Sequence, residues 1–166
     1  MKIQRSFAIW VSLILLPLLL LVGYMAAKEK SAAKYLCSET DPGAMCNAST
    51  TCGSPSAPCI VDVNRTANAV SVTPSTPDAK SDKPFCIKVG TTVTWKSESK
   101  NVGFVLDFGP STPFDQQTII GGSDREVSLV AKKPGCYKFS AGACVSGAIY
   151  GMCGEGSTEL IVTAGN

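Results

Sequence analysis

Cysteine side chains are the residues of this chain with the most specific chemistry. Eight of the 166 residues are cysteines, and no histidine is present. Thiols form disulfides, bind zinc or copper(I), or act as nucleophiles, and each use has its own spacing. An even number at this density is typical of an oxidising compartment, where we expect the thiols to be paired. The positions are Cys37, Cys46, Cys52, Cys59, Cys86, Cys136, Cys144 and Cys153.

The spacing of the cysteines argues against a zinc site and against catalysis. Zinc sites usually contain Cys-x(2–4)-Cys pairs, whereas eight, five and six residues separate the first four cysteines here. The Cys-x-x-Cys motif of thiol–disulfide exchangers does not occur. Without histidine the chain also lacks the imidazole of a Ser-His-Asp triad or a Cys-His pair. We therefore expect no catalytic residue, and the chain is not predicted to be an enzyme.

The N-terminal part contains a hydrophobic stretch long enough for a membrane helix. Phe7 to Ala27 is 21 residues without a charge, and a helix of that length spans about 30 Å, the thickness of the hydrocarbon core. We predict one transmembrane helix over residues 7–27. A cleaved signal peptide is the alternative, although its apolar region usually covers only about 7–15 residues. Because all cysteines follow the helix, we place residues 1–6 in the cytoplasm and the rest in the periplasm or outside the cell.

The charge distribution bears on the partners of the chain. Lys2 and Arg5 account for the net charge of +2, and from residue 28 onward 13 basic and 13 acidic side chains balance. No basic stripe for nucleic acid is present. The expected partners are the lipid bilayer around the helix and integral membrane protein subunits.

Short alternating runs dominate the chain after residue 59 and indicate its architecture. Turn residues separate eight runs that are rich in β-branched and aromatic side chains. This pattern predicts an all-β sandwich over residues 60–166. Residues 28–59 lack such a period, and we interpret them as a stalk followed by a cystine-rich loop. The runs are IVDVN (60–64), AVSVT (69–73), FCIKV (85–89), TTVTWK (91–96), GFVLDF (103–108), REVSLV (125–130), CYKFS (136–140) and ELIVT (159–163).

The aromatic side chains of these runs are the expected centre of the hydrophobic core. A domain of this length can bury a sizeable core. The predicted core aromatics are Trp95, Phe104, Phe108, Tyr137 and Phe139.

Parts of residues 85–162 resemble cupredoxins, the family that contains the blue-copper proteins. The resemblance covers about half of the chain and implies a Greek-key β-sandwich. It rests on three stretches: IKVGTTVTW (87–95), NVGFVLDFG (101–109) and GCYKFSAGACVSGAIYGMCGEGSTELIV (135–162).

The copper ligands of that family are not carried over to this chain. The two histidine positions fall near Val102 and Cys144, and the copper cysteine falls on Ala141. Only the weak axial methionine has a counterpart, Met152. Blue and purple copper sites both need imidazole, so neither is expected here, and we predict no metal and no other cofactor. Copper(I) bound by Cys144, Met152 and Cys153 is the alternative, and it would need free thiols.

The resemblance also suggests how the cysteines pair. A Cys144–Cys153 bridge would close the loop that copper constrains in cupredoxins. We further predict a Cys86–Cys136 bridge between the two sheets. The remaining four cysteines would then pair among themselves: Cys37, Cys46, Cys52 and Cys59.

These observations lead to one main functional hypothesis and two alternatives. The main hypothesis is a non-catalytic, copper-free accessory subunit of a respiratory or photosynthetic membrane complex. Exposed loops and residues 37–59 would contact larger subunits, and Ser12, Gly23 and Ala26 would pack against their helices. The alternatives are an electron- or copper(I)-transfer protein with a non-standard Cys/Met site, and a free-standing surface domain that binds a ligand.

Overall fold

The computed structural model of the protein describes residues 35–38, 41–145 and 153–165. The predicted transmembrane helix over residues 7–27, residues 1–6 and Met152 lie outside these ranges. Within the described ranges, no helix is long and apolar enough to cross a membrane.

Nine strands and one short helix, α1, form the described part of the chain. The prediction of an all-β fold is confirmed, because α1 covers only four residues. Its first turn is capped by Asp41, whose carboxylate accepts from the Ala44 amide at 3.3 Å. The elements are α1 (Pro42–Met45), β1 (Cys59–Thr66), β2 (Ala69–Pro74), β3 (Phe85–Lys88), β4 (Thr92–Lys96), β5 (Val102–Asp107), β6 (Thr118–Gly122), β7 (Val127–Val130), β8 (Gly135–Val145) and β9 (Cys153–Thr163).

The strands form two layers that meet between β9 and β2. The hydrogen-bonded order is β6-β5-β8-β9-β2-β1-β4-β7, with β3 also paired to β9. A single residue pair, Ala69 with Glu155, joins β2 to β9, so the sheet can turn sharply there. Gly154 makes the approach possible, because a Cβ at this position would collide with the backbone carbonyl of Ala69.

Aromatic side chains from both layers fill the space between them. Trp95 of β4 packs edge-to-face against Phe139 of β8, with ring centroids 5.6 Å apart. Phe108 stacks on Phe139 at 4.7 Å, and Phe114 closes the cluster at 6.2 Å from Trp95. All five aromatics expected in the core are buried, and Phe114 joins them. Aromatic contacts across the two layers therefore form the centre of a core that also contains many aliphatic side chains.

All eight cysteines are paired, but in a pattern that differs from the prediction. The Cys144–Cys153 bridge is present, and Cys52–Cys59 is the one pair formed within the first four cysteines. The predicted Cys86–Cys136 bridge is wrong, and the prediction that the first four cysteines pair among themselves is wrong for Cys37 and Cys46. The four bridges are Cys37–Cys136, Cys46–Cys86, Cys52–Cys59 and Cys144–Cys153.

The sheet geometry explains why Cys86 and Cys136 do not pair. Cys86 of β3 and Cys136 of β8 both lie opposite Ile161 of β9, on either side of it. They therefore belong to the same layer and are two strand spacings apart, about 10 Å. A disulfide needs Cα atoms within about 7 Å of each other, so the two thiols cannot reach.

The cystine-rich segment belongs to the same compact unit as the sandwich, which begins at Tyr35. Thr51 lies parallel to Cys86 along the outer edge of β3. The Cys52 amide donates to the Cys86 carbonyl at 2.8 Å, and the Cys86 amide donates to Thr50 at 2.9 Å. The Cys46–Cys86 bridge holds the segment there. A segment too polar to bury its own core thus covers an edge strand that would otherwise expose unpaired amides.

Candidate functional site

The positions that the cupredoxin resemblance assigns to copper ligands hold side chains that cannot coordinate. Val102 begins β5 opposite Val145 and is buried. Ala141 lies in the middle of β8, between Leu106 and Gly156 on the neighbouring strands, and is also buried. β8 continues four residues beyond Ala141 to Val145, so the copper-cysteine position lies inside a strand.

Cys144 and Cys153 are the two thiol positions of the proposed copper(I) set that the structure describes. They lie directly opposite each other at the end of the β8–β9 ladder and are joined as a disulfide. Disulfide sulfur lacks the thiolate charge that a soft metal needs. Met152, the third member, lies outside the described residues. While this disulfide is intact, Cys144 and Cys153 therefore offer no free thiol to copper(I).

One other group of metal-ligand side chains comes together in the described ranges. Donor atoms of Cys37, Cys136 and Glu159 lie within 4.8 Å of one another. The two cysteines are bonded to each other, so a carboxylate is the remaining anionic donor. This group is better described as part of a structural clamp.

Residues 35–38, here called the clamp, cross the outer face of the β5–β8–β9 layer. The Tyr35 hydroxyl donates to Asp107 at 2.5 Å, and the Ser38 amide donates to Glu159 at 2.6 Å. Between them lies the Cys37–Cys136 bridge. The Tyr35 ring lies over Gly109, where φ is +63° and a Cβ would lie 2.6 Å from the ring. The clamp therefore holds three strands and one glycine turn.

The clamp and the Cys144–Cys153 bridge lie at opposite ends of β8. Cys136 is the second residue of that strand, and Cys144 is the last but one. At about 3.3 Å per residue, eight steps separate them by roughly 26 Å. The clamp and the Cys144–Cys153 bridge thus lie near opposite ends of the sandwich.

The contact between Tyr35 and Asp107 gives a pH-dependent prediction. The hydrogen bond to Asp107, followed by burial and by the carboxylate charge, raises the pKa of Tyr35 to about 12. Because the folded pKa lies above the unfolded value of about 10, the stability that this contact contributes is complete below pH 10. It is lost as the pH rises through about 12. We expect Asp107→Asn to move the pKa of Tyr35 back toward the ordinary value.

Ultraviolet titration of tyrosinate absorbance measures this shift. A Tyr35→Phe variant identifies the signal, because one of the four tyrosines disappears from the titration. If the tyrosine with the highest pKa titrates at the same pH in the Asp107→Asn variant as in the native chain, Asp107 does not raise the pKa of Tyr35.

A polar network joins β1 to the turn that follows β4. The Asp62 carboxylate accepts from the Glu98 amide at 2.8 Å and from the Asn64 side chain. The Ser97 hydroxyl, which is buried, donates to Asn64 at 2.5 Å. Desolvation raises the pKa of Asp62, while the hydrogen bond from the Glu98 amide opposes the change. Because these groups bond to one another, the network holds the turn in place and is a weak candidate for acid–base chemistry.

Two clefts open on the described surface. The larger, about 610 Å³, lies between residues 110–117 and the side chains of Lys133 and Tyr137. Its carboxylate, Asp115, pairs with Lys132 at 2.5 Å, and the Tyr137 hydroxyl donates to the carbonyl of Lys133 at 3.1 Å. The smaller, about 250 Å³, lies beside residues 74–85. Asp115 and Tyr137 of the larger cleft are therefore already bonded to neighbouring groups, which makes the cleft a weak candidate for a binding site.

Val105 and Ile120 form a small exposed apolar patch that the sequence analysis missed. They lie opposite each other on β5 and β6, and Gly142 of β8 adjoins them. Val105 is 41% exposed and Ile120 is 62% exposed. Alternation in GFVLDF could have placed Val105 outside, because Phe104 and Leu106 face the core. Two side chains fall far short of the roughly 20–30 residues per partner of a standard interface, so the patch alone does not define one.

Comparisons with known proteins leave the family open. No family model matches the chain, and no curated protein matches it. Among solved structures, the chain is similar to an oxidized amicyanin mutant, with a TM-score of 0.36 and 13% sequence identity. The match covers 78% of this chain and 99% of that chain. A likeness at this level does not assign the chain to a family.

Proposed function

We propose that this chain is a copper-free, non-catalytic domain that a single-pass helix holds at the outer face of a membrane complex as an accessory subunit. The observation that carries the proposal is the state of the ligand positions. Val102 and Ala141 are buried apolar residues within strands, and Cys144 is bonded to Cys153. Because none of these groups can donate to a metal, the domain keeps a sandwich without the donors of a blue-copper centre.

The pairing of the cysteines supports the proposed compartment. No cysteine is free, and disulfides of this density persist in the periplasm or outside the cell. Three of the bridges join segments far apart in sequence or fix an edge segment to the sandwich, so they stabilise the domain itself.

The predicted helix would supply the specific contact with larger subunits. Helices in lipid associate through close packing of small residues, since lipid tails already solvate apolar side chains. Gly23 and Ala26 lie three residues apart and would share one face of the helix predicted over residues 7–27. That face is where we place the partner helix.

A leucine variant tests this role of the helix. Gly23→Leu with Ala26→Leu keeps the segment hydrophobic enough to insert, but it would push a neighbouring helix away. We expect normal membrane insertion and loss of co-purification with a larger complex in mild detergent. Native gels of the solubilised membrane, with identification of the co-purifying subunits, measure the result.

The matched control places leucine on a different side of the same predicted helix. Val22→Leu with Met25→Leu shifts both substitutions by one residue, about 100° around the axis, and should leave co-purification intact. Co-purification of the Gly23/Ala26 variant at the native level would reduce the helix to a passive tether. If nothing co-purifies with the native chain, the accessory role is wrong and a free-standing surface domain takes its place.

A further inference from the structure

The four disulfides differ sharply in their exposure to solvent. Cys52, Cys59 and Cys86 are fully buried at 0% exposure, whereas Cys46 and both cysteines of the Cys37–Cys136 bridge are half-buried. Cys144 and Cys153 are both exposed. Of the bridges between described residues, Cys144–Cys153 is thus the one whose two half-cystines both face solvent.

The surroundings of this bridge leave room for an attacking thiolate. Cys144 and Cys153 are opposite residues on the outer face of β8 and β9. The neighbour of Cys144 on β5 is Gly103, and the preceding outward residue on β8 is Gly142. These glycines have no side chain that could cover the sulfur atoms, and on β9 the next outward residue, Glu155, is exposed, so solvent screens its charge. Exchange requires a thiolate to reach one sulfur atom, so access is the first condition for reaction.

The Cys37–Cys136 bridge, in which both half-cystines are half-buried, has a feature that opposes the same reaction. The Glu159 carboxylate lies within 4.8 Å of the sulfur atoms of Cys37 and Cys136. Glu159 itself is 5% exposed, so solvent screens its charge poorly. A buried negative charge repels an incoming thiolate and destabilises the thiolate that would leave. Burial therefore protects both half-cystines of Cys52–Cys59 and one half-cystine of Cys46–Cys86, and charge protects Cys37–Cys136.

We propose that Cys144–Cys153 is a thiol-exchange site: a dithiol reduces this bridge while the other three bridges stay intact. One thiolate of the dithiol attacks a sulfur of the bridge, the S–S bond breaks, and the displaced cysteine leaves as a thiolate that takes up a proton. The second thiol of the reagent then attacks the mixed disulfide and releases the other cysteine. Two electrons and two protons pass to Cys144 and Cys153, and the dithiol leaves as its own disulfide.

Reduction of the bridge has only a local effect, because the pairing of β8 with β9 does not depend on it. β8 and β9 remain paired from Ala143 opposite Gly154 to Gly135 opposite Val162. The aromatic core on the inner face of β8 is also untouched, since Phe139 lies five residues away from Cys144. Exchange removes the covalent bond between Cys144 and Cys153 and leaves two adjacent thiols on the outer face of β8 and β9.

Stepwise reduction of the full chain in mild detergent tests the proposal. The protein is incubated with increasing dithiothreitol, free thiols are alkylated, and the modified peptides are identified by mass spectrometry. We expect Cys144 and Cys153 to be labelled together at a reagent concentration at least about tenfold lower than the other six cysteines. Circular dichroism at that first step should be unchanged.

A variant without the bridge is the control for the early labelling step. A Cys144→Ser/Cys153→Ser variant should lose the early labelling step and keep the later ones. Labelling of any other pair first, or of all four pairs within about a factor of two, would overturn the proposal. Loss of the β-sheet spectrum at the first step would also overturn it, because the bridge would then be needed for the fold.

Discussion

Replacing Trp95 by alanine is expected to lower the free energy of unfolding by about 3–5 kcal/mol. Trp95 is fully buried and makes edge-to-face contacts with three rings, those of Phe108, Phe114 and Phe139. Alanine would leave a cavity between the layers, since strands held by hydrogen bonds on both sides cannot collapse into it. A domain of this size would lose roughly 10–20 °C of melting temperature, which thermal or denaturant unfolding measures.

The phenylalanine variant separates the loss of ring packing from the loss of a hydrogen bond. The indole nitrogen of Trp95 is buried and has no hydrogen-bond partner among the described residues. Trp95→Phe therefore removes no described bond and keeps an aromatic ring, and we expect it to retain most of the stability that alanine loses. Equal destabilisation by phenylalanine and alanine would mean that the indole has a polar role which the ring contacts do not explain.

The sequence predicts strands well where their side chains alternate and poorly where glycines replace them. Eight of the nine strands were placed from β-branched and aromatic runs. β6 was missed because TIIGG ends in two glycines, which read as a turn. β8 and β9 were predicted too short, because Gly142, Gly154 and Gly156 interrupt the alternation. These glycines belong to the ladder, and at Gly154 close approach to β2 requires one.

The cysteine pairing depends on information that spacing does not contain. Cys144 and Cys153 are close in sequence, and they lie opposite each other because β8 and β9 are consecutive antiparallel strands. Cys86 and Cys136 were expected to bridge two layers, but β3 and β8 flank the same strand. Which layer a strand joins depends on the topology, and local alternation is identical in either case.

The sequence excludes one kind of site, but it does not predict the long-range contacts of the clamp. The absence of histidine rules out an imidazole-bound copper centre from the sequence alone. The clamp could not be foreseen, because Tyr35 and Asp107 are 72 residues apart and neither lies in a recognisable motif. From the sequence alone, nothing distinguishes Asp107 from any other acidic side chain at the end of a strand.

The clamp also carries the second large effect that we expect. Cys37→Ala with Cys136→Ala should destabilise the domain by about 4 kcal/mol in the chain-entropy model. The bridge spans a sequence separation of 99 residues, and the Cys46–Cys86 bridge inside that loop shortens the effective chain. Removing it frees the unfolded chain more than removing any short bridge does, since the entropy of closure grows with loop length.

Comparison with Cys144→Ala/Cys153→Ala isolates the effect of loop length. That bridge spans a separation of nine residues, and its loss should cost about 2.5 kcal/mol. Denaturant unfolding of both variants, with the other three bridges intact, should therefore differ by about 1.5 kcal/mol. In the Cys144/Cys153 variant the clamp is still anchored by Cys37–Cys136. The hydrogen bond from Ser38 to Glu159 therefore stays in its folded state and adds nothing to the stability that this variant loses. A Cys37/Cys136 variant that loses no more stability than the other would mean that Tyr35 and Ser38 hold the clamp without the bridge, and that the long disulfide adds little to a sandwich whose strands already fix its ends.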